Sequence, residues 1–195
     1  MRVNELDLKH AKHLSKNKWT VSSEIWDYLR NNGYDTIGQG SFSSIWTKPN
    51  SNSAIKVSRV SDRCWLSFAE LCKTRKSPYL PKISRVIKYQ IKLPESTIEQ
   101  FAFIAFMEKL NPRADDSKLQ SLVYKFLELE RISGGYEDYQ PEESGLIEKT
   151  WPGFVGLVQY INSKGRPKSC ANDLTDKNIC WRNGKTPVIV DPWAG

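Results

Sequence analysis

The sequence contains few of the features that identify membrane, secreted or metal-binding proteins. Its 195 residues include four cysteines, two histidines and two methionines. No stretch approaches the run of about 18 apolar residues that a membrane-spanning helix needs, and the first residues lack the apolar core of a signal peptide. We therefore expect no membrane partner and a cytoplasmic location.

The cysteines and histidines show no metal-binding pattern. His10 and His13 could share one face of a helix, but no further ligand lies near them in sequence, so we expect two solvated side chains. No pair of cysteines has the C-x-x-C spacing typical of zinc sites. We expect free thiols in a reducing compartment rather than a disulfide. The four cysteines are Cys64, Cys72, Cys170 and Cys180.

The formal net charge is +7. The excess of positive charge is clearest in residues 9–18, within an N-terminal segment (1–20) that we expect to form a polar helix or a loosely packed arm. The charge fits either a generally solvated surface or a basic face for nucleotide phosphates or an acidic protein partner. No nucleic-acid-binding motif accompanies it, so we do not expect nucleic acid to be the main ligand.

The apolar pattern predicts strands in the first half of the chain and helices in the second. Residues 34–57 read as short strands separated by turns, which predicts a small antiparallel sheet, and the apolar run 101–107 predicts a buried inner strand. From Asn111 the apolar spacing becomes helical. Helices are predicted from a cap at Ser22 or Ser23 to a stop at Gly33, over 65–75, over 119–129 and from Pro152 to 161, with a polar loop over 134–144.

Two features of the predicted sheet suit a phosphate ligand. Gly38 and Gly40 have no Cβ, so their backbone N–H groups can approach phosphate oxygens closely; an ordinary hairpin bend is the alternative. Lys56 lies between apolar strand residues, where an ammonium is costly to desolvate unless a phosphate or a carboxylate pairs with it. A lysine on an edge strand is the alternative interpretation.

The last 25 residues contain the pattern of a β-hairpin. Two short apolar strands, 179–181 and 188–190, flank the dipeptide Asn183-Gly184, which is a strong signal for a tight hairpin turn.

Closing that hairpin should bring three oxygen-bearing side chains together. Asp173 and Asn178 bound a short polar loop before the first strand, and Asp191 lies just past the end of the second. Carboxylate and amide oxygens are the hard ligands that Mg²⁺ prefers, with its remaining ligands taken from water and phosphate.

Several motifs in this order resemble those of protein kinases. The segment 173–178 matches D-L-x-x-x-N of the catalytic loop, and Asp191-Pro192-Trp193 stands where D-F-G would be. Residues 37–45 resemble the glycine-rich loop, residues 54–57 resemble V-A-I-K, and F-M-E-x-L at 106–110 resembles the hinge that contacts adenine. Within the superfamily, the likeness is greatest to the minimal early serine/threonine kinases of autographivirus-type bacteriophages, which act in the cytoplasm of the bacterial host.

The resemblance implies an α+β, two-lobe fold. It assigns residues 1–33 to an N-terminal helical, basic extension, 34–110 to an N-lobe built on a small antiparallel β-sheet, and 111–195 to a helical C-lobe. The C-lobe is expected to be abbreviated, without the activation loop and the distal helices.

The resemblance also implies roles for individual residues. Asp173, Lys56, Glu70 and Lys177 would be catalytic, with Glu70 pairing with Lys56 unless it is only a solvated face residue. Asn178 and Asp191 would bind Mg²⁺. The nucleotide-binding residues would be Gly38, Gln39, Gly40, Ser41, Phe42, Ser43, Ala54, Lys56, Glu108 and Leu110.

The sequence departs from the kinase pattern at several positions. Ala171 and Asn172 occupy the positions of the usual His and Arg, and Ser43 replaces the third glycine of the loop. Thr175 stands where serine/threonine kinases place a lysine, and Lys177 is a candidate replacement. Pro192 biases the residue before it toward extended backbone, so we expect a metal-binding Asp that does not flip between two poses.

The function expected from this resemblance is ATP-dependent transfer of the γ-phosphoryl group to Ser or Thr hydroxyls of host proteins. Two alternatives stay open. One is a catalytically silent kinase-like module that binds and inhibits a host protein, and the other is a small-molecule phosphotransferase.

Overall fold

The computed structural model describes residues 13–14, 22–40, 42–58, 62–91, 100–132 and 142–194. These residues form an α+β protein, as predicted, with one five-stranded antiparallel sheet and five α-helices. None of the helices in the described ranges is long and apolar enough to cross a membrane. The chain divides into two compact units, residues 1–62 with 82–109 and residues 63–81 with 110–195.

In the part of the chain that the structure describes, the first unit contains the helix α1 and the five-stranded sheet. The strand order is β1-β2-β3-β5-β4, and every neighbouring pair is antiparallel. The predicted inner strand is therefore correct, because β5 lies between β3 and β4. The elements are α1 (Ser22–Asn31), β1 (Asp35–Gln39), β2 (Ser43–Thr47), β3 (Ser53–Ser58), β4 (Ile83–Ile91) and β5 (Gln100–Glu108).

Helix α1 ends at the predicted glycine. Gly33 has a φ of +76°, a conformation that glycine adopts without strain. Its N–H donates to the Arg30 carbonyl at 3.0 Å, and the Tyr34 N–H donates to the Leu29 carbonyl at 3.0 Å. These are the two hydrogen bonds of a Schellman motif, so the chain leaves the helix with its last carbonyls satisfied.

The apolar core of the first unit reaches into the N-terminal segment. Leu14 is buried, which corrects the expectation of a loosely packed arm at this position. The His13 ring is exposed and stacks on Tyr28 at 4.3 Å, whereas His10 lies outside the described residues. The core cluster consists of Leu14, Ile25, Leu29, Tyr34, Trp46, Ile55, Val57, Tyr89, Ala102, Ile104 and Phe106.

The second unit contains four helices and short strand pairs within the described residues. Strands β6 and β9 pair with each other, as do β7 and β8. The predicted polar loop over 134–144 is wrong from residue 142 onward, where a helix begins, and the next helix begins at Phe154 rather than at Pro152. The elements are α2 (Arg63–Thr74), α3 (Ser117–Ile132), α4 (Glu142–Thr150), α5 (Phe154–Asn162), β6 (Ala171–Asn172), a 3-10 turn (Asp176–Asn178), β7 (Ile179–Arg182), β8 (Thr186–Ile189) and β9 (Trp193–Ala194).

Polar contacts fix the β7–β8 hairpin to the rest of its unit. The Ile189 N–H donates to the Tyr79 carbonyl at 3.0 Å, and the Tyr79 hydroxyl donates to the Pro152 carbonyl at 2.9 Å. The Arg182 guanidinium donates to the carbonyls of Pro78 and Leu80. The hairpin is therefore held on both strands by the segment that follows α2.

The Asn183-Gly184 turn confirms the hairpin prediction. Asn183 has a φ of 53° and Gly184 a φ of 66°, the left-handed pair that defines a type I′ turn. The Lys185 N–H donates to the Arg182 carbonyl at 3.2 Å, which closes the turn. The Asp115 N–H donates to the Gly184 carbonyl at 2.8 Å and ties the turn to the segment before α3.

We expect Gly184→Ala to lower the free energy of unfolding by roughly 1–2 kcal/mol, because an L side chain is strained in the left-handed region. A Cβ on Gly184 would also meet the carboxylate of Asp115. That side chain is short and exposed, so it can rotate away and the backbone strain should dominate. Denaturant unfolding of the variant measures the loss.

Two further variants separate the causes. In an Asp115→Ala background most of the Gly184→Ala penalty should persist, and its disappearance there would mean that the side-chain contact was responsible instead. Gly156→Ala in α5 is a matched control, because no heavy atom lies within 4 Å of the new Cβ. Replacing a helical glycine in this way should raise stability by up to about 1 kcal/mol.

A buried carboxyl lies in the second unit. Glu130 on α3 is buried. Burial raises the pKa of its carboxyl group, and a hydrogen bond with the Gln159 side chain partly opposes the shift. The folded protein therefore binds this proton more tightly than the unfolded chain does.

We expect the stability of the wild-type protein relative to Glu130→Gln to fall as the pH rises. The loss should begin at the unfolded pKa of about 4.3 and end once the folded carboxyl has ionised, because a raised carboxyl pKa favours the folded state only at low pH. Denaturant unfolding of both proteins from pH 4 to pH 8 measures the difference. Parallel curves would show that Glu130 does not titrate differently on folding.

Candidate functional site

The structure brings the backbone around Asp173, Asn178 and Asp191 together. The Val190 N–H donates to the Asn178 carbonyl at 2.9 Å, and the Asp173 N–H donates to the Pro192 carbonyl at 2.8 Å. Asp191 lies between the two bonded residues Val190 and Pro192. One peptide unit on either side of Asp191 is thus fixed to the loop that carries the other two side chains.

Strand registers on both sides of the loop produce this arrangement. Ile179 pairs with Ile189 in the hairpin, and Asn172 pairs with Trp193 between β6 and β9. The loop between these pairs is anchored by Leu174, whose side chain is buried. The Leu174 N–H donates to the Asn172 side-chain oxygen at 3.1 Å, which makes a local turn that the Asn side chain stabilises.

Hydrogen bonds orient the Asn178 amide group. Its nitrogen donates to the Asp173 carbonyl at 2.6 Å and to the Asp173 carboxylate at 3.1 Å. Both amide hydrogens of Asn178 can therefore be donated to Asp173. The amide oxygen can then accept a hydrogen bond or coordinate a cation. The Asp173 side chain is exposed, so it is accessible to a substrate.

The donor set fits Mg²⁺ by its chemistry. It offers carboxylate and amide oxygens, and Mg²⁺ is commonly held by one or two carboxylates plus water and substrate phosphates. Within the described ranges, no group of three or more His, Cys, Asp or Glu residues could hold a metal ion. An all-protein cage of that kind is not what a phosphate-bound Mg²⁺ requires.

Lys177 lies on the 3-10 turn of the same loop. Its side chain is exposed, and its backbone N–H donates a hydrogen bond to the Asp176 carboxylate at 2.9 Å. Asp176 is also exposed. The catalytic role expected for Lys177 stays a prediction, and Asp176 offers a matched carboxylate for testing Asp173.

Lys56 occupies an inner strand of the sheet in the first unit. On β3 it pairs with Ile45 of β2 and with Ala105 of β5, and its residue is only 4% exposed. The alternative of an edge-strand lysine is therefore wrong. Burying an ammonium at this depth is costly unless a polar or charged group pairs with it.

The glycine-rich loop joins β1 to β2. Gly38 and Gln39 close β1, Ser43 opens β2, and the Gly40 N–H donates to the Ser43 carbonyl at 2.9 Å. Phe42 is 55% exposed at the bend, whereas Ser41 lies outside the described residues. The neighbouring candidate Ala54 is buried on β3.

Neither the backbone φ nor crowding around the Cβ position requires a glycine at Gly38 or Gly40. Neither Gly38 nor Gly40 has a left-handed φ. A Cβ on Gly38 would lie 3.6 Å from the Ile45 side chain, and one on Gly40 would lie 3.9 Å from the Ser43 carbonyl, both ordinary contacts. Glycine in a strand often marks a bulge or a close approach of another group, and the β1–β2 register does shift between Thr36 and Gly38.

The predicted hinge is partly engaged by the sheet. The Glu108 N–H donates to the Lys82 carbonyl at 3.0 Å, and the buried Glu108 carboxylate accepts from the Lys82 N–H at 2.8 Å. The Lys109 N–H donates to the Asn52 carbonyl at 2.9 Å. These two N–H groups are occupied, so adenine contacts in this stretch would fall to carbonyl groups or to the half-buried Leu110.

Glu70 lies on an exposed face of α2. Its side chain is 68% exposed and forms an ion pair with Lys73, one turn away, at 2.9 Å. This is the arrangement of the solvated face residue that the sequence left open. The pairing of Glu70 with Lys56 stays a prediction.

Sequence reasoning missed two residues that support the site. Trp193 is buried and donates its indole N–H to the Ile161 carbonyl at 3.1 Å. It also packs edge-to-face with Phe68 of α2, with the ring centroids 5.8 Å apart. A tryptophan two residues after Asp191 was a signal that this end of the chain is packed. The second residue is Cys170, three residues before Asp173.

The expectation of four free thiols is wrong for two cysteines. Cys64 and Cys170 form a disulfide, whereas Cys72 and Cys180 are free. The bonded pair is separated by 106 residues, so no local spacing could reveal it. Only the packing of α2 against the end of the chain brings the two sulfurs together.

No family model matches this chain, and a search of curated proteins found no match. The resemblance to protein kinases therefore depends on the quoted motifs alone.

Proposed function

We propose that this chain is an ATP-dependent protein kinase with a kinase-like two-lobe fold and an abbreviated C-lobe. Its substrates would be Ser and Thr hydroxyls of host proteins, as in the minimal phage kinases that it resembles. The observation that carries the proposal is the pair of backbone hydrogen bonds that fixes Asp191 beside Asp173 and Asn178.

Two features of the first unit add support. Lys56 is buried on an inner strand, where hydrogen-bonded strands on both sides fix the position of its backbone. Neither φ nor crowding requires glycine at Gly38 or Gly40, and the backbone without a Cβ at these positions suits the close approach of a phosphate. Lysine and glycine loop are the two groups that kinases use on nucleotide phosphates.

Each residue has a defined task in this proposal. Lys56 would contact the α- and β-phosphates, and the loop from Gly38 to Ser43 would cover them. Asn178, through its amide oxygen, and Asp191 would hold Mg²⁺, which neutralises charge on the phosphates.

Asp173 would orient the acceptor hydroxyl. The hydroxyl oxygen forms a bond to the γ-phosphorus, and its proton passes to an Asp173 carboxylate oxygen. The bond between the γ-phosphorus and the β–γ bridging oxygen breaks, and ADP leaves with its electron pair. The hydrogen bond from the Asn178 amide to the Asp173 carboxylate at 3.1 Å holds that carboxylate in one orientation. Catalysis of this kind depends on positioning, so loss of one partner should affect rate more than stability.

We expect Asp173→Ala to reduce phosphate transfer by about 10²–10⁴-fold, the range for a lost general base, while the free energy of unfolding changes by only about 1 kcal/mol. The assay follows labelled ATP with Mg²⁺ in a bacterial lysate. Asp176→Ala removes an exposed carboxylate from the same loop and should retain the wild-type rate. Equal activity of Asp173→Ala and wild type would remove Asp173 from this role.

The same assay separates the alternatives. Labelled protein bands support the kinase proposal. Labelled small products would identify a small-molecule phosphotransferase, and no transfer with retained binding to a host protein would identify a silent module.

We expect Gly38→Ala to weaken ATP binding by about tenfold, equivalent to about 1.4 kcal/mol, because a methyl group would occupy space used by a phosphate. The fold should be unchanged or more stable by up to about 1 kcal/mol, since the new Cβ meets only ordinary contacts. Titration calorimetry and thermal melting measure the two effects. Gly145→Ala in α4 is the matched control and should leave ATP affinity unchanged, because no heavy atom lies within 4 Å of the new Cβ.

A further inference from the structure

The Cys64–Cys170 disulfide joins α2 to the segment that leads into the candidate site. Cys64 is the second residue of α2, and Cys170 directly precedes β6. Their Cα atoms are 5.8 Å apart across a sequence separation of 106 residues. Asp173 follows Cys170 by three residues, so the covalent bond lies next to the loop that carries the proposed catalytic carboxylate.

Helix α2 touches this segment at a second point. Phe68, one turn after Cys64, packs against Trp193 in an edge-to-face arrangement with the ring centroids 5.8 Å apart. Trp193 belongs to β9, which pairs with β6, and it follows Asp191 by two residues. The helix is therefore bonded covalently to the residue before β6 and packs through an aromatic contact on β9, the strand that pairs with β6.

The other two cysteines are unsuited to thiol exchange. Burial raises the pKa of the Cys180 thiol to about 11 and raises the pKa of the Cys72 thiol further still. Both stay protonated near neutral pH, and the thiolate is the reactive species.

We propose that Cys64 and Cys170 form a redox site that locks α2 to the Asp173 loop when oxidised and releases it when reduced. The lock is a property of the second unit. Its effect on phosphate transfer, but not its existence, rests on the proposed kinase function.

The chemistry is thiol–disulfide exchange with a small-molecule disulfide such as glutathione disulfide. One cysteine thiolate attacks the small disulfide, which forms a mixed disulfide and expels one thiolate. The second cysteine thiolate then attacks the mixed disulfide, closes the Cys64–Cys170 bond and expels the other thiolate. Two protein thiols are oxidised, one small disulfide is reduced to two thiols, and a dithiol reductant reverses the reaction.

Burial sets the rate of this exchange. Cys64 is 3% exposed and Cys170 is 6% exposed, so a reductant reaches the bond only when the start of α2 opens locally. We therefore expect reduction to be slow in the native protein and fast in denaturant.

The test compares the wild-type protein with Cys64→Ser, Cys170→Ser and Cys72→Ser, each oxidised with glutathione disulfide and then reduced. Cys72→Ser is the matched control, because Cys72 lies on the same helix with a free thiol. In wild type and in Cys72→Ser, we expect a Cys64–Cys170 linked peptide after oxidation and a Tm lower by roughly 5–15 °C after reduction. The other two variants should show the lower Tm in both states.

Hydrogen exchange tests the lock at the site without requiring activity. Reduction should speed amide exchange in residues 171–178 by about tenfold in wild type and in Cys72→Ser, and not in Cys64→Ser. Three results would each overturn the proposal: free thiols at Cys64 and Cys170 after oxidation, a Tm that does not change on reduction, or an amide exchange rate in residues 171–178 that is the same in both redox states. A redox-dependent Tm and exchange rate in a protein that transfers no phosphate would support the lock and reject the kinase function.

Discussion

The candidate site depends on the register of one hairpin. The hairpin pairs Ile179 with Ile189 and leaves Asn183, Gly184 and Lys185 in its loop, and that register is what lets the next residue, Val190, donate to the carbonyl of Asn178. A slip of one residue would turn every side chain of the strand to the opposite face and carry Asp191 away from the loop. A local turn preference thus determines the placement of a chemical group several residues away.

The two glycines and the lysine of the first unit occupy parts of the sheet with different mechanical properties. Lys56 lies on β3, which has hydrogen-bonded strands on both sides, so its backbone is held firmly. Gly38 lies on β1, an edge strand whose residues are mostly exposed. In the proposed function, the rigid strand β3 would hold the ammonium of Lys56 in one place. An edge strand with little packing suits a loop that adapts to a ligand.

The sequence predicted the features that short-range chemistry determines. The stop of α1 at Gly33, the turn at Asn183-Gly184 and the buried strand β5 all follow from a few adjacent residues. The features that it missed depend on distant parts of the chain. The Cys64–Cys170 bond needs the packing of α2 against β9, and α4 is a nine-residue helix next to glycines and prolines whose signals indicate a loop.

The ion pair between Glu70 and Lys73 contributes too little free energy to determine the role of Glu70. An exposed pair one turn apart on a helix contributes only about 0.3–0.5 kcal/mol, because water screens both charges and ordering two long side chains costs entropy. A carboxylate that pairs with a buried ammonium compensates a much larger desolvation cost. The contact with Lys73 therefore does not fix the role of Glu70, whereas the Cys64–Cys170 bond and the Phe68–Trp193 contact do fix the position of α2 against the end of the chain.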